Sequence, residues 1–315
     1  MRPRLPSGSD PLAALAALPG VEPLRLVRDR PDRMVLEIRL DGRPAWLKLF
    51  RGADPADRVQ RAETRLKQVA QVLDGPLDCV VSPLLALPEH GILITAPAPG
   101  RPLAEMLAQA GPARRATLIT RMGEWLRALA RTSRSRGRFG PRFWLGRAEA
   151  QAEVAWGGWI DRALVEAHLG RMRAEVPGLR GLPVERGLSH GDLTADNIFA
   201  EELRPGVLRL TGIDMEGAAE MALARDMARL LVWLESRRKR PAARVRDGIA
   251  LPDWRALTRV PGLLPADQLP ILRFLIGDLI LAHYLDTTRQ SSRRETLMRA
   301  MRAWAETDGL LRPEP

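Results

Sequence analysis

The stretch LSHGDLTADN, Leu188 to Asn197, sets His190, Asp192 and Asn197 in the spacing H-G-D-x-x-x-x-N. A second run, LRLTGIDMEG at 208–217, is largely apolar until it reaches Asp214. Packing alone asks for no imidazole, carboxylate and carboxamide at those intervals. Turn chemistry does use Asp and Asn, because their side chains bond their own backbone. The octet by itself therefore leaves a polar turn open beside a chemical centre, and the rest of the chain has to decide.

Composition narrows the classes. The chain has 315 residues, 45% hydrophobic and 28% charged, enough for a sizeable core in two lobes or one large domain. Met1 to Pro11 holds two arginines and three prolines without a long apolar stretch, so it reads as neither a secretory signal nor a membrane anchor. The most apolar run, ILRFLIGDLILAHYL at 271–285, is interrupted by Arg273, Asp278 and His283. It falls short of the ~20 residues that span a bilayer, and is predicted to be a buried helix. Cys79 is the sole cysteine. An internal disulfide is excluded, which points to a cytoplasmic setting, and its valine neighbours make it a core thiol.

The net charge of +11 admits an anionic partner, whether nucleic acid, a membrane surface or an acidic glycan. Of the 49 basic residues only Lys48, Lys67 and Lys239 are lysines. Arginine this dense forms clusters without a purpose. Aromatic residues at 4% and a single tyrosine, Tyr284, leave few platforms for stacking bases, which ranks nucleic acid low. Peripheral contact with an anionic membrane surface stays open.

In chain order, DPLAALAAL at 10–18 predicts a short helix capped by Asp10. Three alternating runs at 22–29, 33–40 and 43–50, with a turn at Asp41-Gly42, predict an antiparallel meander. Lys48 lies in the third, with Leu47 and Leu49 on the opposite face. Residues 53–75 predict a helix capped by Asp54, with an apolar stripe through Val59, Ala62, Leu66 and Val69 that Glu63 borders. Strands at 79–87 and 91–98 would complete a five-stranded sheet. The remainder is mostly helical: 101–110, 113–133, 148–176, 219–235, and two late helices near 266–288 and 292–306. Residues 134–147 predict a solvated arginine-rich loop docking Phe139, Phe143 and Trp144, and Trp156 and Trp159 predict core positions.

This order of elements and residues resembles protein-kinase-like enzymes, in the H-G-D form of the aminoglycoside phosphotransferase family and related small-molecule, sugar and lipopolysaccharide-core kinases. The resemblance implies an α+β, bilobal protein-kinase-like fold: a nucleotide-binding lobe at 1–97 and a helical lobe at 98–315 carrying the catalytic loop and acceptor site. It implies ATP and Mg²⁺ as cofactors. Lys48 would reach the nucleotide phosphates, held by Glu63, and since Pro97 and Pro99 have no N–H, Ala96 or Ala98 would offer the backbone donor to adenine. Asp192 would be the base, His190 would shape the loop from inside, Asn197 and Asp214 would bind Mg²⁺, and Asp226 would brace the loop's backbone. Asp196 and Glu216 are further acids beside this set. The turn at 29–33 lacks the glycine-rich pattern of protein kinases. Arg30 or Arg33 there could meet phosphate, although a solvated turn explains them as well.

The implied activity is transfer of a γ-phosphoryl group to a hydroxyl of a small molecule or glycan. The +11 charge disfavours a polycationic acceptor and favours an anionic one, such as a phosphosugar or lipopolysaccharide sugar. Two other readings remain: a non-catalytic kinase-like scaffold, and a protein Ser/Thr kinase, against which H-G-D in place of H-R-D counts.

Overall fold

The computed structural model describes residues 18–155 and 159–306. The predicted helix at 10–18 falls outside the described residues except for Leu18, and Trp156 lies outside them too. The chain folds as two compact units. One ends at Arg101 and regains Ile198–Ala218; the other comprises Pro102–Asn197 and the chain from Ala219 onward.

The first unit is built on alternation. Strands β1 (Val21–Arg30), β2 (Arg33–Leu40) and β3 (Arg43–Phe50) form the meander, with Leu40 paired to Arg43 across the Asp41-Gly42 turn. Met34, Leu36, Ile38, Ala45 and Leu47 all point to one buried cluster with Leu18, Val21, Ile92 and Ile94. Helix α1 (Pro55–Val72) follows, burying Val59, Ala62, Leu66 and Val69. Asp54 precedes it in a left-handed conformation and its side chain makes no cap bond, so the expected cap is a position only.

The predicted strand at 79–87 is two. Strand β4 (Asp78–Val80) ends before Ser82-Pro83, and β5 (Pro83–Leu87) joins β6 (Ile92–Thr95) in a sheet of order β1-β2-β3-β6-β5. A proline supplies no ladder donor, which is a reason for the run to break there. Strand β4 instead pairs in parallel with Val207–Gly212, the second arm of a hairpin whose first is Ile198–Arg204. That pairing is why the boundary expected at 97/98 needs correction: the hairpin and Asp214 belong with the first unit. Gly100 seals the join, since a Cβ there would stand 2.1 Å from the Ala200 carbonyl oxygen.

The second unit is helical: α2 (Leu103–Gln109), α3 (Pro112–Ala130), α4 (Pro141–Val154), α5 (Arg162–Leu179), α6 (Leu223–Ser236), α7 (Leu251–Thr258), α8 (Leu269–Leu285) and α9 (Arg294–Glu306). A three-stranded sheet of Ala219–Ala222, Pro183–Ser189 and Ser135–Arg138 lies among them. Residues 134–147 are thus no loop: they form an outer strand and, from Pro141 at the first helical turn, the start of α4. Phe139 is buried edge-on to Phe274 and Trp144 lies under the Arg225 guanidinium, but Phe143 is 68% exposed rather than docked. The helix predicted at 219–235 begins only at Leu223, because 219–222 joins the sheet.

Helix α8 is the centre of this unit. The stretch Ala266–Leu285 is apolar and long enough to cross a membrane, yet 78% of its most apolar window is buried inside the chain. Its charges are neutralised internally. Asp278 binds Arg225 at 2.7 Å, and Arg273 binds Glu175 at 2.8 Å and Asp247 at 3.2 Å. His168 donates from Nε2 to the Gly277 carbonyl at 2.9 Å, from a ring packed at a tilt against Trp304. Burial, aided by the Arg273 guanidinium, lowers its pKa from 6.5 to about 4. The folded state then refuses a proton that the unfolded chain accepts between those values. The His168 contribution to stability is complete above pH 6.5 and lost as pH falls toward 4, an effect of up to about 3 kcal/mol. Urea midpoints measured across that window should fall less steeply for His168→Gln than for the parent; parallel slopes would refute the assignment.

Candidate active site

In the first unit the alternation of β3 sends Leu47 into the core and Lys48 to the other face. There the Lys48 ammonium is ion-paired with both Asp214 and Glu216. Burial pulls the ammonium pKa down, but the Glu216 and Asp214 carboxylates outweigh it, and the net shift is upward. Lys48 is a fixed cation at neutral pH. Asp214 leaves its strand with φ +58°, a left-handed conformation that Asp tolerates better than most side chains and that turns its carboxylate toward Lys48. Glu216 also faces Arg33 at 3.6 Å.

Glu63 is not the partner of Lys48. It is bonded to Lys67 at 2.7 Å, one helical turn along α1, where the i, i+4 spacing satisfies it locally. The carboxylates that meet Lys48 are those of Asp214 and Glu216. Of the two backbone donors proposed beside Pro97, the Ala96 N–H already bonds the Ser82 carbonyl at 2.9 Å, which leaves the expectation on Ala98.

In the second unit the H-G-D loop follows the strand Pro183–Ser189 and is wound around Asp226 near the start of α6. Asp226, fully buried, accepts from the Ser189 hydroxyl at 2.8 Å, the His190 N–H at 2.6 Å and the Gly191 N–H at 3.2 Å. Gly191 has φ +81°, which a side chain would resist. The buried His190 ring lies 6.1 Å from that of Trp125 and accepts the Asp192 N–H on Nδ1 at 3.4 Å. It lies between Trp125 of α3 and the loop's own backbone.

Asp192 itself is 56% exposed. Arg229 donates to its Oδ1 at 2.9 Å, and the Asn197 amide bonds its backbone carbonyl at 2.9 Å and its Oδ2 at 3.3 Å. With that NH₂ group turned inward, the Asn197 amide oxygen is the atom it offers elsewhere. Asp196 is held by Trp233 Nε1 at 3.2 Å and by Arg237 at 2.8 Å. One face of α6 and its end thus reads Asp226, Arg229, Trp233, Arg237, every member bonded to the loop. Sequence reasoning identified the first and missed the others, although their spacing of three and four residues was a visible signal. His283 adds to this region: burial, then the Arg229 and Arg293 charges, lower its pKa to about 4 against the pull of Asp192.

No protein-family model and no curated protein matches the sequence. Solved structures do. An amicoumacin kinase in complex with AMP-PNP, Ca²⁺ and Ami superposes with a TM-score of 0.61 at 14% identity, covering 94% of this chain and 93% of that one. A GDP complex of an aminoglycoside 2'-phosphotransferase gives 0.61 at 12% identity, over 91% of each chain. A thermostable mutant of the aminoglycoside phosphotransferase APH(4)-Ia gives 0.57 at 16% identity, over 91% and 96%. At these identities the likeness is one of fold, and the chain has the α+β fold of these small-molecule phosphotransferases.

Proposed function

We propose that this chain is an ATP- and Mg²⁺-dependent phosphotransferase that moves a γ-phosphoryl group to a hydroxyl of an anionic small molecule or glycan. The observation that carries the reading is the grip of Asp226 on the H-G-D loop, which presents an exposed Asp192 oriented by Arg229 and Asn197. Structural neighbours with bound AMP-PNP or GDP support a nucleotide donor, and their small-molecule acceptors support the substrate class.

In this reading Asp192 orients the acceptor hydroxyl and takes its proton as the new O–P bond forms and the γ-phosphorus bond to the leaving diphosphate oxygen breaks. The proton then passes to solvent. A carboxylate is a weak base, so it takes the proton late, from a position that the Arg229 contact fixes. Lys48 transfers its contacts from the two carboxylates to nucleotide phosphate oxygens. Asp214 and Asn197 offer hard oxygen donors of the kind Mg²⁺ takes in small number beside phosphates. When bound, Mg²⁺ neutralises charge on those phosphates.

The anionic acceptor is supported by the charges around Asp192. Arg229 touches it, and Arg293 acts with Arg229 on nearby His283. That setting suits a phosphosugar or a lipopolysaccharide sugar better than a polycation. A cytoplasmic setting accords with the nucleotide donor.

Thermal unfolding with ATP, GTP and Mg²⁺, singly and together, tests the nucleotide half. A ligand at 100 times its dissociation constant adds ~2.7 kcal/mol to the native state. The expected result is a metal-dependent rise with one nucleotide that Asp214→Ala loses. No rise with any nucleotide would overturn the proposal and favour a kinase-shaped scaffold.

A further inference from the structure

Within the helical unit lies a cavity of about 840 Å³ that shares no lining residue with the H-G-D loop. Five of its 16 lining residues are arginines: Arg115, Arg238, Arg244, Arg255 and Arg259. Chain-wide, roughly one residue in seven is arginine, so composition accounts for two or three. Asp253 is the one acid among the described lining residues, which leaves the wall with a formal charge of +4.

That acid has a structural task. Its carboxylate is 3% exposed and accepts from Arg115 through two bonds of 2.8 and 2.7 Å, and from Arg238 at 2.5 Å. Two guanidiniums are thereby fixed in place, and their order costs a ligand nothing. Between the arginines the lining is mainly alanine and proline, side chains too short to fill the space. Guanidinium groups match phosphate oxygens bidentately, and Arg244 and Arg259 lie outside the network of Asp253, in which Arg238 also bonds Glu235 at 3.3 Å. The volume lies in the range of small-molecule sites, ~300–1,000 Å³.

We infer that this cavity binds a multiply charged phosphate group, carried by a small molecule or by a lipid headgroup, at a site separate from the H-G-D loop. Arg244 and Arg259 are exposed and take no part in holding Asp253, so they can be changed without undoing that buried pair.

The test compares the full chain with Arg244→Ala/Arg259→Ala and with a control of equal charge loss, Arg43→Ala/Arg204→Ala, whose positions are exposed on the other unit. Calorimetric titration with inorganic pyrophosphate reads a soluble source, and co-sedimentation with phosphatidylcholine vesicles containing phosphatidic acid reads a lipid one. Circular dichroism confirms that each variant folds. The expected result is at least tenfold weaker binding of one probe by the cavity pair alone; the probe affected names the source. Equal weakening by both pairs would reduce the effect to net charge. Unchanged binding by the cavity pair, or no binding of either probe by the parent, would overturn the inference.

Discussion

Asp192→Asn is expected to lower the rate of phosphoryl transfer by ~10²–10⁴-fold, the range a positioned general base supplies, while leaving the nucleotide-dependent thermal shift and the urea midpoint close to those of the parent. The side chain is 56% exposed, so little native packing depends on its charge. Asparagine retains an oxygen for Arg229 and a similar shape, but loses the ability to accept the acceptor's proton and, with it, the bond that Oδ2 accepts from the Asn197 amide at 3.3 Å. Steady-state rates measured over a range of nucleotide and acceptor concentrations separate the possibilities. A fall in kcat with KM for nucleotide unchanged fits the proposed role. A raised KM with kcat preserved would mean that Asp192 binds substrate and takes no proton, and the proposed chemistry would have to move to another residue.

Much of this site was legible because its residues are chemically expensive to place by accident. A lysine in a third strand, on the face opposite Leu47, an H-G-D loop and an Asp after an apolar run each stand out against a chain with only three lysines and few polar residues in its core runs. The strands β2 and β3 were readable to the residue because one face of each is buried and period two has no competitor there. What sequence left hidden was partner choice. Glu63 and Glu216 are equivalent as carboxylates near a candidate lysine, and only the path of the hairpin at 198–212, pinned by its parallel pairing to β4, brings Glu216 to Lys48. The same long-range pairing moved the domain boundary. Arg229 was hidden for a different reason: among so many arginines, one more on a helix carries no signal until its spacing from Asp226 is set against the acids of the loop. Residues 134–147 misled through composition, since arginine and glycine suggest a solvated loop while pairing with Pro183–Ser189 makes a strand of them.

Asp226→Ala should behave in the opposite way to Asp192→Asn, with stability and transfer lost together. Its carboxylate is fully buried and is the acceptor for two backbone N–H groups and one hydroxyl. Each buried donor left without a partner costs ~1–3 kcal/mol, so the loss summed over three donors is on the order of 3–9 kcal/mol, a large part of the ~5–15 kcal/mol by which domains are stable. Asp226→Asn is a gentler probe: it preserves volume but turns an NH₂ group toward donors, so it too should destabilise, by less. Amide hydrogen exchange at His190 and Gly191 reports the loop directly. Both amides should exchange faster in either variant, with the urea midpoint falling in the order parent, Asn, Ala. If exchange at these amides and the midpoint stay as in the parent while transfer disappears, Asp226 is doing chemistry and not holding the loop. If exchange rises but transfer survives, Asp192 needs no fixed backbone beneath it, and the grip of α6 on the H-G-D loop has no catalytic consequence.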